Sequence, residues 1–159
     1  MKVKQKTNGF TIVELLIVVV VIAILAAITI VSFNGISARA KYSVMQQDVA
    51  SINKAIMSFH AEKGYYPSAS ANSGNTGTNL NSIESQLVPA YISKLPSFSG
   101  SASEGYYVYI WGDNGVSYKI LRLVPQGSTL PALEQSDPRL DPVRTTRGWG
   151  YWSANGAAL

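Results

Sequence analysis

Cysteine is absent from the 159 residues, and histidine occurs once, at His60. Without cysteine there is no disulfide framework, no thiolate metal site and no cysteine nucleophile. A single histidine excludes a His-rich metal cluster and leaves one candidate for a Ser–His catalytic pair. Charge is scarce as well, at 14% of residues against about 25% in an average soluble domain. The apolar share of 47% is ordinary, so the missing charge is concentrated in one place. Proline, the strongest helix breaker, does not appear before Pro67. The length suits one compact domain with an appendage.

What is present begins with Lys2, Lys4 and Lys6, without an acid among the first nine residues. Phe10 to Val31 follows, apolar except for Thr11, Glu14 and Thr29, and Leu15 to Ile28 carries no polar side chain. A helix of about 20 apolar residues crosses a ~30 Å hydrocarbon layer. Lysines before the span favour a cytoplasmic N-terminus. Three readings compete: a secretory signal peptide, a plain signal anchor, and an apolar helix released by cleavage of the Gly9–Phe10 bond. The run is too long for a signal peptide, and its small residues Ala23, Ala26 and Ala27 lie inside it.

Glu14 separates the remaining two. A carboxylate at mid-bilayer costs about 2.5–3.5 kcal/mol on insertion scales, and no Lys or Arg lies within a turn inside the span. Cutting after Gly9 gives Phe10 an α-amine with a reference pKa of about 7.7–8.0, positive at neutral pH. Residues four apart share a helix face, so that amine can meet its own Glu14 or the Glu14 of an adjacent copy. The second pairing sets the registry between neighbouring helices, and breaking one member of a buried pair costs about 3–5 kcal/mol.

The lysine leader, then Gly9-Phe10-Thr11-Ile12-Val13-Glu14-Leu15-Leu16 and an aliphatic helix, resembles the class III signal of type IV pilins and pseudopilins. The resemblance implies several things. A prepilin peptidase would cut after Gly9 and methylate the amine of Phe10, and Glu14 would be the assembly glutamate. The product would be a homo-oligomeric helical filament, with a motor ATPase, a polytopic platform protein and minor pilins as partners. It would start as a single-pass protein of the cytoplasmic membrane and end at the cell surface. Removing residues 1–9 leaves 159 − 9 = 150 residues and 13 − 3 = 10 bases against 9 acids, so the net charge falls from +4 to +1. The basic character belongs largely to the leader, and nucleic acid is not expected as a direct ligand.

Beyond the span, Tyr42, Met45, Val49, Ile52, Ile56 and Phe59 recur at steps of three and four, an amphipathic stripe. Gln46, Gln47, Asn53 and Lys54 fall off it. The pattern predicts one helix from Phe10 to Glu62, ~80 Å long at 1.5 Å per residue, capped at Gly64. Residues 10–33 form its hydrophobic half and 34–63 its amphipathic half; 64–159 form a globular head. Asn34-Gly35 is the weakest point, since Gly costs about 1 kcal/mol relative to Ala; it is either a point of unwinding or a close-packing site between helices. The helix end, from Asp48 to Gly64-Tyr65-Tyr66-Pro67, resembles the major-pseudopilin and Gram-positive pilin branch.

The head reads as a loop over 68–81, a short helix over 80–88 stopped by Pro89, and strands at 106–111 and 116–124 joined by Asp113-Asn114-Gly115. A further strand is expected around Trp149, Tyr151 and Trp152. The fold class is α+β, a pilin fold in which the C-terminal half of the long helix packs on a small antiparallel sheet of three or four strands. Glu134, Asp137 and Asp141 are spaced by three and four. The resemblance implies calcium at Asp137 and Asp141, whereas the interleaved Arg139 and Arg144 imply surface Asp–Arg pairs. His60 lacks a nucleophile placed for catalysis, and the many tyrosines imply packing or subunit contacts. No enzyme activity is expected.

Overall fold

The computed structural model describes residues 9–68, 78–98, 100 and 104–159. Residues 1–8 of the expected leader (1–9) and most of the expected loop, residues 69–77, lie outside that set. The order is α1 (Ile12–Lys63), β1 (Thr78–Asn79), a 3-10 turn (Leu80–Ile83), α2 (Glu84–Leu87), β2 (Tyr106–Gly112), β3 (Ser117–Leu123), α3 (Ala132–Gln135) and β4 (Gly148–Trp152). The class is α+β. Two compact units divide the chain, residues 1–40 and 41–159.

α1 runs unbroken for 52 residues, through Asn34 and Gly35. It ends where Gly64 takes φ +81 and its N–H bonds the His60 carbonyl at 2.8 Å. This is the left-handed cap that glycine adopts without steric cost. In the second unit its stripe is buried: Met45, Val49, Ile52, Ala55, Ile56 and Phe59 pack with Tyr107, Tyr109, Tyr118, Ile120 and Trp149 of the sheet.

The sheet is an antiparallel meander in the order β1-β2-β3-β4, with β1 only two residues long. Its presence corrects the expected loop at Thr78–Asn79, and the 3-10 turn corrects it at Leu80 and Asn81. Tyr106 pairs with Leu123 at one end of the main hairpin and Gly112 with Ser117 at the other. The chain reverses through Asn114 (φ 54) and Gly115 (φ 92), the two residue types best suited to left-handed backbone. At Gly150 a Cβ would lie 1.9 Å from the Ile120 carbonyl oxygen, so β4 can approach β3 only with glycine there.

Helix-facing residues alternate along the strands, as a pleat requires. The opposite face holds Val108, Ile110, Leu121 and Leu123, with Trp152 and Leu159 against them. β3 is therefore buried over its whole length, including Lys119 and Arg122. Gln46 and Asn53, off the apolar stripe, are half-buried. Gln46 donates to Asp137 at 3.2 Å, and Asn53 accepts the Tyr118 hydroxyl at 2.5 Å.

Candidate functional site

Gly9 and Phe10 precede the helix, both exposed, Phe10 to 89%. A Cβ at Gly9 would meet nothing within 4 Å, so nothing in the described fold demands glycine there. Thr11 caps α1. Its N–H and hydroxyl both donate to Glu14 Oε2 at 2.8 Å, and the Glu14 N–H donates to Thr11 Oγ1 at 3.2 Å. This is a capping box, which satisfies donors that the first helical turn leaves free. Sequence reasoning paired Glu14 only with residue 10; the Thr-x-x-Glu spacing was the signal for a second partner. Glu14 Oε1 makes no hydrogen bond among the described residues.

Behind this cap the helix is apolar all round and uncovered. Leu15, Leu16, Ile22, Leu25, Ile28 and Ile30 are each about 60% exposed, as single residues of an isolated helix are. A helix apolar on every side is stable only when buried in protein or lipid. None of its most apolar 18-residue window is buried within the chain. The structure thus brings together, at the start of α1, the three residues singled out from sequence: Gly9, Phe10 and Glu14.

The family model for the prokaryotic N-terminal methylation motif matches residues 4–30. The chain is 33% identical over 88 residues to the fimbrial protein EcpC of Eikenella corrodens, covering 55% of this chain and 58% of that one. It is 43% identical over 61 residues to the type IV major pilin protein PilA of Myxococcus xanthus (strain DK1622), covering 38% of this chain and 28% of that one. Over its N-terminal part the chain is thus similar to a fimbrial protein and to a type IV major pilin, and it carries the methylation motif. The chain spans just over half the length of the first of these relatives and under a third of the second. No solved structure matches it.

The head carries no calcium cage at the expected place. Among the described residues no three or more His, Cys, Asp or Glu are grouped to hold a metal. Every oxygen of Asp137 and Asp141 already accepts from an N–H or O–H group. Asp137 Oδ1 takes the Arg139 N–H and Nε at 2.8 and 2.9 Å; Oδ2 takes Arg139 Nη2, the Tyr42 hydroxyl and Gln46. Asp141 Oδ1 takes Lys119 Nζ at 2.7 Å and the Val143 N–H; Oδ2 takes Arg144 Nη1 at 3.1 Å. With those donors in place the residues do not fit a calcium ion, which needs six to eight oxygens free to turn toward it. The Asp–Arg pairing is observed, with one correction: both aspartate side chains are fully buried, so these are not surface pairs.

Burial pushes the Asp137 carboxyl up, but the hydrogen bonds from Arg139, Tyr42 and Gln46 together outweigh it and hold the group down at about 2. On the other side of that contact, burial and the bond to Asp137 raise the Tyr42 hydroxyl to about 12. Glu134, third of the acids, accepts from Trp149 Nε1 at 2.9 Å and pairs with Arg122 Nε at 3.3 Å. Lys119 and Arg122 were not singled out from sequence, because a lysine and an arginine in a strand carry no local sign of burial. His60 stacks on Tyr66 with ring centroids 4.1 Å apart. The tyrosines pack, and their hydroxyls reach Asp48 from Tyr107, Asn53 from Tyr118, Glu62 from Tyr91 and the Pro67 carbonyl from Tyr109.

Proposed function

We propose that this chain is the structural subunit of a type IV pilus-like filament. In this reading it is cleaved after Gly9 by a prepilin peptidase, N-methylated at Phe10 and polymerised through its apolar helix. The observation that carries it is the head of α1: a glycine the described fold does not use, an exposed Phe10, and a Glu14 whose Oε1 takes no hydrogen bond among the described residues. In the filament, the Phe10 ammonium of one subunit binds the Glu14 oxygen of another, a charge-assisted bond enclosed by packed apolar helices. Identical subunits joined head to tail without closure extend as an open helix.

The partners follow from that cycle. They are the peptidase, an assembly ATPase with its platform membrane protein, minor pilins, and the cytoplasmic membrane that holds the subunit before extraction. The filament then lies at the cell surface, in adhesion, motility, DNA uptake or secretion. A pilus is favoured over a secretion or competence pseudopilus by the matched relatives, named as a fimbrial protein and a major pilin. Intact mass of the protein from its host tests the reading. A chain beginning at methylated Phe10 is expected; one retaining Met1 to Gly9 identifies an uncleaved anchored binding module and overturns it.

A further inference from the structure

Between Glu14 and Arg39 there is no charged residue. Both lie on α1, and 39 − 14 = 25 residues span ~37 Å at the helical rise. The hydrocarbon layer is about 30 Å thick and the bilayer with its headgroups about 40–45 Å. A helix tilted by about 20° still separates the two residues by ~35 Å along the normal. Both charges therefore fit in headgroup layers at once, and one cannot reach its layer while the other sits at mid-bilayer.

The local structure suits both ends. Phe33 and Ile36 are about two-thirds exposed and extend the apolar surface beyond Val31 toward Arg39. Arg39 is exposed, and none of the ion pairs among the described residues uses it. At the other end, the capping box satisfies donors of the first turn and keeps the carboxylate at the helix tip.

We infer that Arg39 is a phospholipid-phosphate anchor. Its guanidinium binds a phosphate of the outer leaflet of the cytoplasmic membrane and so sets Glu14 in the inner headgroup layer. This deepens the proposed function and rests on its membrane-held stage. A guanidinium fork matches phosphate oxygens in two parallel hydrogen bonds, and its long stem reaches the interface from a helix end. Glu14 then avoids hydrocarbon in the membrane-held subunit, and is first enclosed by apolar groups when helices pack in the filament.

The absence of native cysteine makes single-cysteine spin labels specific. The full chain, as Val13→Cys, Leu25→Cys or Ser37→Cys, is placed in phosphatidylethanolamine–phosphatidylglycerol vesicles and label depth is read by power saturation. Labels at 13 and 37 are expected at headgroup depth and the label at 25 deepest. Arg39→Leu should draw the label at 37 inward by ~3 Å, the rise of two residues to Lys41, while Arg39→Lys keeps it in place. A label at 13 lying at hydrocarbon depth, or a label at 37 indifferent to Arg39→Leu, overturns the anchor and leaves the pilin reading standing. Solvent exposure of all three labels overturns both.

Discussion

Glu134, Asp137 and Asp141 are near neighbours in the chain, yet each meets a different cation: Arg122, Arg139, and Lys119 with Arg144. Removing one partner of a buried pair strands the other in a medium that solvates it poorly. Glu134→Gln keeps an acceptor for Trp149 Nε1 but removes the counter-ion of Arg122. The expected loss is about 3–5 kcal/mol, read as a lower urea midpoint. Acid and alkali act on the Tyr42–Asp137 contact in opposite ways. Asp137 is held at about 2, below its unfolded value of about 3.9. Its contribution is complete above about pH 4 and is lost as pH falls through about 2. Tyr42 is raised to about 12 from about 10, so its contribution is complete below about pH 10 and is lost as pH rises through 12. Burial raises Tyr107, Tyr109 and Tyr118 too, so the alkaline loss is collective. Melting temperature against pH checks both limbs, and Tyr42→Phe should weaken the alkaline one. The sequence displayed these acids and arginines side by side. It did not display their burial, because Lys119 and Arg122 come from a strand separated from them by turns.

α1 was the element most legible in sequence. A run without proline, a stripe at steps of three and four, and Gly64 at its end are all local signals, and the helix lies within two residues of the expected bounds. The Asp113–Gly115 reversal was legible for the same reason, since Asn and Gly suit the backbone that the turn needs. β4 was legible in the aromatic run, as the further strand expected around Trp149, Tyr151 and Trp152, and α3 not at all. Gly35 yields a prediction at this scale. A Cβ there meets nothing within 4 Å, so Gly35→Ala should stabilise the helix by about 1 kcal/mol and raise the ellipticity at 222 nm. If the glycine serves close approach of helices, the same variant lowers filament yield without lowering the melting temperature of the head. Undiminished filaments would reduce Gly35 to a neutral position.

At the scale of the whole molecule, the two units have opposite relations to solvent. Residues 41–159 bury a core of their own, whereas the most apolar window of α1, near the N-terminus, buries nothing. An exposed apolar surface of that extent marks a site for another molecule; in the proposed cycle that is lipid first and other copies of the chain afterwards. Glu14→Ala tests the passage from one to the other. The variant should be made, inserted and processed, yet fail to yield filaments in electron micrographs; normal filaments would remove the ammonium–carboxylate bond from the assembly scheme.

By itself the sequence determined the apolar helix, the residues at its head and the family they point to. Each of these depends on neighbours within a turn or two, and helical periodicity and capping act over that range. Only the tertiary structure decided the fate of the acids and bases of the head. Whether a charge is solvated or enclosed depends on the strands folded over it, and here both faces of β3 are covered, so Lys119 and Arg122 became interior cations and the acids their counter-ions.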